Sequence, residues 1–396
     1  MPLVGAGAAY AADDPLADLL VNKGVVSAED VAKLPDRSTL PKGLAGMEFE
    51  ALGFVDYSAG SKGSPGDGSD SFNKFSLTRG YLTVKKEILP WMRARTTVDV
   101  HQDGDEDWKV RLKYLYGELR PDDLGPLTQM KGEIGLGHIP WLDFEEHVNP
   151  YRCQGTMAIE RAGIFNSADV GVSLRGNIGG KLDDAKGRTG NSHYDGKYGS
   201  WHVGVYNGGG YHAAEKNEDK VLEGRLTIRP LPDIAPGLQI SYLGITGDGN
   251  KDPGPDYRVN LGMVSYEHPW FILTGQYFQT TGNASGGLVD GSGDALDTEA
   301  YSFFGNVKLP VANKRLAAFA RYDHFDADKD GKVADDADYD LTLAGLSFDL
   351  YHGNMILIDY ETVSYGNDSG GMGKAPSPGA DRGDDERIQI VYQIKY

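Results

Sequence analysis

Basic side chains recur at alternate positions in several segments of this chain: Arg93 with Arg95, and Arg111 with Lys113, while Lys131 and Arg175 sit in runs of the same kind. Residues two apart on an extended strand point to the same side, so each pair lines one face. Cations lining a narrow aqueous passage attract anions by direct Coulomb force. A second set of charges, Glu146, Arg152 and Arg161, falls in one long connection, residues 139–167, and carries both signs. A third group, Asp326, Asp328 and Asp330 followed by Gly331, has the D-x-D-x-D-G spacing of a calcium loop, with the glycine supplying a sharp turn. Its twelfth position is Ala337 where a bidentate Glu is needed, and no helix flanks it. The expectation there is a solvated acidic loop, with Ca²⁺ held by the three aspartates as the alternative.

Other chemistries find little support. Cys153 is the single cysteine, which excludes an internal disulfide framework and a C-x-x-C-H haem site. None of the nine histidines stands in a paired metal-ligand spacing, and no segment spaces a nucleophile and base for covalent catalysis. The expectation is therefore no enzyme and no resident cofactor. A net charge of −19 argues against a nucleic-acid partner, because phosphate binding requires a basic surface. No apolar run approaches the ~18 residues of a membrane helix; strands of a membrane barrel are only half apolar and are not excluded by this.

The elements that must position these charges read as strands. From Met47 onward, alternating segments are separated by Gly, Asp, Asn and Pro clusters. The segments run 47–57, 73–86, 91–101, 107–120, 127–139, 168–179, 196–207, 219–230, 236–246, 256–266, 270–280, 298–309, 314–325, 339–350, 354–364 and 386–396. Their connections alternate long and short. Ser58–Ser71, 139–167, 208–218, 247–255, 281–297, 326–338 and 366–384 are long, whereas 88–90, 121–126, 231–235, 267–269, 309–313 and 351–354 are short. Two connections break the pattern: 181–196 is too long and 103–106 too short. A membrane barrel shows this asymmetry, with long extracellular loops and short periplasmic turns, and a soluble sandwich has no reason to keep it. Trp91, Trp270, Tyr351 and Tyr396 all fall at the short-turn end, as an interfacial aromatic girdle requires. The expected fold is all-β, a transmembrane antiparallel barrel of about sixteen strands spanning residues 46–396 in the lipid of an outer membrane.

Two segments precede it. Residues 1–11, ending Ala9-Tyr10-Ala11 before Asp13-Asp14, read as the remnant of a secretory signal. Residues 12–45 read as a periplasmic segment of two short helices, with Leu16, Leu19, Leu20, Val25 and Val31 at helical spacing and a linker marked by Pro35 and Pro41.

With the polar face of each strand turned inward, the lumen wall leans basic. Arg79, Lys85, Arg93, Arg95, Arg111, Lys113, Lys131, Arg175, Arg258 and Arg321 outnumber acids such as Asp99, Glu133, Asp323 and Glu361. The connection 139–167 carries Trp141, Leu142, Phe144, Val148, Tyr151 and Phe165. It is too apolar to remain in water, where ordering a loop gains nothing. Folding it into the lumen buries those side chains and brings Glu146, Arg152 and Arg161 to a constriction; a lid over the barrel mouth or a subunit contact is the alternative.

Gln154-Gly155-Thr156-Met157, Glu160-Arg161 and Phe165-Asn166-Ser167-Ala168-Asp169 leading into a strand resemble the bacterial outer-membrane porins of the phosphate-selective porin O/P family. The stretch from Leu19-Leu20-Val21 to Val25-Val26-Ser27 is similar to the short helix before some of those barrels. The resemblance implies a sixteen-stranded barrel in a Gram-negative outer membrane, often a homotrimer, that passes small anions, with its constriction at the loop holding Arg152 and Arg161. The lysine-rich constriction of a phosphate-selective member is missing, and Tyr396 stands where phenylalanine is usual. The expected function is passive diffusion of small hydrophilic solutes, leaning to anions. The alternative is a barrel sheathing a partner such as a multihaem cytochrome in an electron conduit, which needs a lumen free of an inward loop.

Overall fold

The computed structural model describes residues 46–102 and 107–396, together with Lys23, Val25, Ser27 and Leu44. The expected signal remnant and helical segment lie outside the described residues, those four positions apart. The chain divides into two units, Met1–Met47 and Glu48–Tyr396. The second unit forms a closed antiparallel barrel of sixteen strands, each hydrogen-bonded to its neighbours in sequence.

The strands are β1 (Met47–Ser64), β2 (Gly68–Leu89), β3 (Met92–Gln102), β4 (Trp108–Leu119), β5 (Leu127–His138), β6 (Ala168–Ile178), β7 (Gly199–Tyr206) and β8 (Val221–Ile228). They continue as β9 (Leu238–Asp248), β10 (Asp256–His268), β11 (Phe271–Thr281), β12 (Asp297–Lys308), β13 (Leu316–Asp326), β14 (Asp338–Asp349), β15 (Met355–Tyr365) and β16 (Asp385–Lys395). Three short helices lie in connections: α1 (Leu142–Val148), α2 (Ala158–Arg161) and α3 (Ala185–Thr189). Closure is made by β1 on β16, from Leu52 opposite Lys395 to Ser61 opposite Glu386. Among the described residues no strand edge is left unpaired, which removes the aggregation hazard of an open sheet.

All sixteen expected segments are strands, and most end within a few residues of the positions their alternation implies. The exception is the expected loop Ser58–Ser71. β1 and β2 run through it, leaving only residues 65–67 as a turn. The Gly/Ser composition serves close strand approach here. A Cβ at Gly60 would sit 1.9 Å from the Glu386 carbonyl oxygen, and one at Gly63 would sit 1.5 Å from that of Gly383. Gly383 N also donates to Ser64 O, so the segment before β16 carries the pairing onward.

Alternation sets the two faces as expected in most strands. On β16, Ile388, Ile390 and Tyr392 point outward while Gln389 and Val391 are buried inside. On β13, Arg321 and Asp323 are buried inside, facing one another across two residues. β10 reverses the expectation. Tyr257, Val259, Leu261 and Met263 are buried on the inner face, while Val264 and Arg258 point outward. Arg258 is therefore not a wall cation of the lumen; it pairs with Asp256 at 3.1 Å on the exposed outer surface. The physical reason is that β10 faces an apolar filling rather than water, and an apolar residue is stable on either side of such a strand.

A β-bulge falls between β3 and β4, where Thr97 lies opposite Tyr114 and Val98 opposite Leu112. Lys113 is the extra residue. A bulge re-aims a side chain, and here Lys113 and Tyr114 are both buried on the lumen side.

Candidate functional site: the lumen

The connection from 139 to 167 joins β5 to β6 and carries α1 and α2. Trp141, Leu142, Phe144 and Ile159 are fully buried, and they form one apolar cluster with Tyr257, Leu261, Met263, Phe304 and Phe319 of the inner wall. Polar ties fix the same loop across the barrel. The Tyr151 hydroxyl lies 2.9 Å from Ser347 Oγ, and its ring stacks on Phe319 at 4.2 Å between centroids. Arg321 Nη1 donates to Thr156 O at 2.7 Å. Arg161 Nη1 donates to Glu361 Oε2 at 2.7 Å, and Gln154 Nε2 donates to the same oxygen at 2.7 Å. The loop thus packs mainly against β10–β15, and the open space of the lumen lies on the β3–β6 side.

Glu145 is the buried acid of α1. It accepts from Trp141 Nε1 at 2.7 Å and from Gln276 Nε2 at 2.8 Å. Burial pushes its carboxyl up to about 7, with Arg321 and the two donors opposing. Between 4.5 and about 7 the folded chain holds a proton that the unfolded chain has released, so this group's contribution to stability falls as pH rises through that window. The loss reaches up to about 3 kcal/mol above pH 7. Glu145→Gln is expected to abolish it, the Gln276 amide turning over to present its unpartnered Oε1. Melting of the two proteins in detergent between pH 5 and 8 checks this. A parallel slope in both sinks the assignment to Glu145.

The open side is walled mainly by β3–β6. One cavity, of about 350 Å³, is lined by Arg95, Lys131, His138, Asp143, Arg175 and Lys181 among others. A second, of about 150 Å³, is lined by Lys85, Arg93, Arg95, Glu118, Lys131 and Arg175. Arg95, Lys131 and Arg175 belong to both. Not all of these cations are free. Arg93 pairs with Glu48 and, at 3.3 Å, with Glu87. Arg111 pairs with Asp99 at 2.9 Å. Arg175 is shared by Glu133 at 2.6 Å and Asp143 at 3.3 Å.

Among the described residues, Arg79, Arg95, Lys113 and Lys131 pair with no carboxylate. Arg95 lies over the Tyr114 ring at 4.4 Å and 3.2 Å from His138 Nε2. Arg79 lies over Tyr81 at 4.6 Å. Lys113 hydrogen-bonds Ser167 and lies 3.9 Å from the Tyr211 ring centroid. Glu146 faces this wall but is already held by Arg152 Nε at 2.8 Å, and Arg152 Nη2 reaches Glu160 at 3.2 Å.

Of the residues singled out by sequence, Arg95 and Arg175 thus line the lumen cavities, Arg93 lines one as an ion pair, Arg111 is paired with Asp99, and Lys113 is buried against Ser167 and Tyr211. Arg161 belongs to the anchor of the inner loop. The pairing partner His138 carries no sequence signal, because only strand register and loop docking bring it to the basic wall.

The calcium-like motif is organised differently from its spacing. Asp328 is buried, and its carboxylate accepts from the backbone N–H groups of Lys332 (3.0 Å), Val333 (2.5 Å) and Ala334 (3.0 Å). Asp326 Oδ1 accepts from Asp328 N at 2.9 Å. These oxygens shape the loop, and the three carboxylates do not converge. Among the described residues the convergent trio is His324, Asp338 and Asp340, whose ligand atoms lie within 4.8 Å of one another. His324 stands opposite Asp340 on paired strands, a register invisible in sequence. There Asp340 Oδ1 already accepts from the Tyr322 hydroxyl at 2.6 Å and lies 3.0 Å from His324 Nδ1.

No protein-family model matches this chain, and no curated protein does. Among solved structures it is similar to the anion-selective porin from Comamonas acidovorans, at 12% identity and a TM-score of 0.59, over 88% of this chain and 100% of that one. It is also similar to the outer membrane channel DcaP of Acinetobacter baumannii, at 12% identity and a TM-score of 0.55, over 88% and 97% of the two chains. A third similar structure is the trimer form of OmpT, an outer membrane protein of Vibrio cholerae, at 10% identity and a TM-score of 0.54, over 89% and 100%. At identities this low, these likenesses show a shared fold and nothing further.

Proposed function

We propose that this chain is an outer-membrane diffusion channel for small hydrophilic solutes that leans to anions. The observation that carries the reading is a closed barrel whose lumen cavities on the β3–β6 side are lined by Arg95 and Lys131, which have no carboxylate partner among the described residues. An uncompensated cation in a narrow passage lowers the energy of an anion and raises that of a cation. Exposed Leu273, Val264, Ile240, Phe303, Leu346 and Ile390 on the outer face suit a hydrocarbon surrounding. The fold neighbours titled as an anion-selective porin and an outer membrane channel favour the same reading.

Two finer proposals follow. Placement in the Gram-negative outer membrane as a homotrimer is supported by the neighbour titled as a trimer form. Kinship with the phosphate-selective O/P porins is supported by Gln154-Gly155-Thr156 and Arg161, which act together here. A Cβ at Gly155 would lie 2.0 Å from Arg161 Nη2, and Gln154 and Arg161 share Glu361. The sheath alternative is disfavoured by the apolar loop packed inside the barrel, since a sheath needs a lumen free of an inward loop.

Planar-bilayer recording of the purified protein under a KCl gradient tests the reading. Stepwise channels with a chloride-leaning reversal potential are expected. Folded barrels that give no channels would overturn diffusion, and cation-leaning channels would overturn the anion preference.

A further inference from the structure

The connection 179–198 joins β6 to β7 at the end of the barrel where turns are otherwise short. It does not hang outside. Its backbone and side chains bind residues of the inner wall: Arg229 Nε donates to Gly196 O at 3.2 Å, and Asn191 Nδ2 donates to Glu267 Oε1 at 2.7 Å. Glu267 is 3% exposed, and its other oxygen accepts from Gln239 at 2.7 Å, so the insert completes a buried carboxylate's hydrogen bonds. Arg188 ties it to Pro232 O, at 2.7 Å, in the neighbouring turn.

The same insert grips the inner loop, which enters from the opposite end. Asn191 Nδ2 also donates to His147 O at 2.8 Å, bridging α1 and the wall. The His193 and His147 rings lie 3.9 Å apart between centroids. Tyr194 places its hydroxyl on Asp143 and its ring edge-on to Phe144 at 5.2 Å. Ser192, His193 and Tyr194 line the 350 Å³ cavity together with Arg95 and Lys131. On the other side of the insert the lumen is filled by α1, whose Leu142 and Phe144 have no exposure.

We propose that residues 179–198 form a second constriction, which sets the conductance and size limit of the channel at its short-turn mouth. The proposal rests on the diffusion reading. Three layers set this aperture: the β3–β6 wall, α1 and the insert. The hydrogen bonds at Asn191, Tyr194 and Arg229 hold the insert against the flow path; an ordinary hairpin turn would leave that path open.

Two changes test it in single-channel recordings. The β6–β7 ladder continues to Lys197 N on Gly180 O at 3.0 Å, so an Asn-Gly turn in place of 181–196 closes the hairpin. This replacement is expected to raise conductance at least about twofold and admit larger sugars into liposomes. Independently, Ser192→Cys places a thiol on the exposed cavity face without removing any contact named above. Cys153 is buried, with its thiol pushed up to about 12 by burial, and does not compete for reagent. Complete modification of Ser192→Cys by a bulky methanethiosulfonate, verified by mass, is expected to cut conductance by more than about half, leaving the unsubstituted protein unaffected. Channels whose conductance and size limit ignore both changes overturn the second constriction alone. A folded unsubstituted barrel without channels overturns the diffusion reading and this proposal with it.

Discussion

Replacing Arg95 and Lys131 together by glutamine is expected to shift the anion-to-cation permeability ratio, read from the reversal potential, several-fold toward cations. These two cations line both lumen cavities and lack a carboxylate partner among the described residues. In a water-filled passage each contributes on the order of 0.7 kcal/mol to an ion at about 6 Å, so two amount to roughly a tenfold change before screening. The shift is expected to be larger at 0.1 M than at 1 M salt, because the screening length falls about threefold between them. Arg258→Gln is the informative contrast. Sequence alternation places Arg258 among the wall cations, but the structure puts it outside, paired with Asp256. Its removal is expected to leave selectivity unchanged. Equal shifts from the double substitution and from Arg258→Gln would refute the assignment of the passage to the β3–β6 wall.

The second large effect concerns the loop that narrows the lumen. Arg161 and Glu361 are each 7% exposed and pair at 2.7 Å, and Arg387 reaches the other Glu361 oxygen at 2.8 Å. Taking one partner from a buried pair costs about 3–5 kcal/mol, because the remaining charge stays desolvated. Arg387 and Gln154 still serve Glu361, so Arg161→Ala is expected near the lower end, at about 3 kcal/mol. The loss falls on the anchoring of the 154–161 stretch, while the barrel ladders are untouched. Faster proteolysis within 139–167 and noisier channels of higher conductance are the expected readouts. Arg161→Lys, which keeps the charge but not the contacts of Nε to Thr156 O and Nη2 to Gln154 Oε1, is expected to fall between. Unchanged protease resistance and quiet channels in Arg161→Ala would show that the apolar packing of Trp141, Leu142 and Phe144 holds the loop without this ion pair.

These expectations divide between what alternation carries and what it does not. Period-two patterning located every strand of the barrel, and the apolar content of 139–167 marked it as a loop unable to stay in water. The over-long 181–196 connection was visible as an exception, though nothing in its residues names Glu267, Arg229 or His147 as partners. Those contacts depend on two connections entering from opposite ends and meeting.

By itself, then, the sequence determined the sixteen strands, their order and the long-short rhythm of their connections, because strand period and turn chemistry are local properties. Tertiary structure decided the rest. A two-faced strand does not say which face meets lipid when both lipid and a loop-filled lumen are apolar, so Tyr257, Val259, Leu261 and Met263 turned inward and Arg258 outward. The bulge at Lys113 aimed that side chain and Tyr114 into the lumen together. Close approach at Gly60 and Gly63 made a strand of a Gly/Ser run that reads as loop. Which wall cations remain free was settled by register and docking, since a carboxylate neutralises only the cation it touches, and that proximity is made in three dimensions.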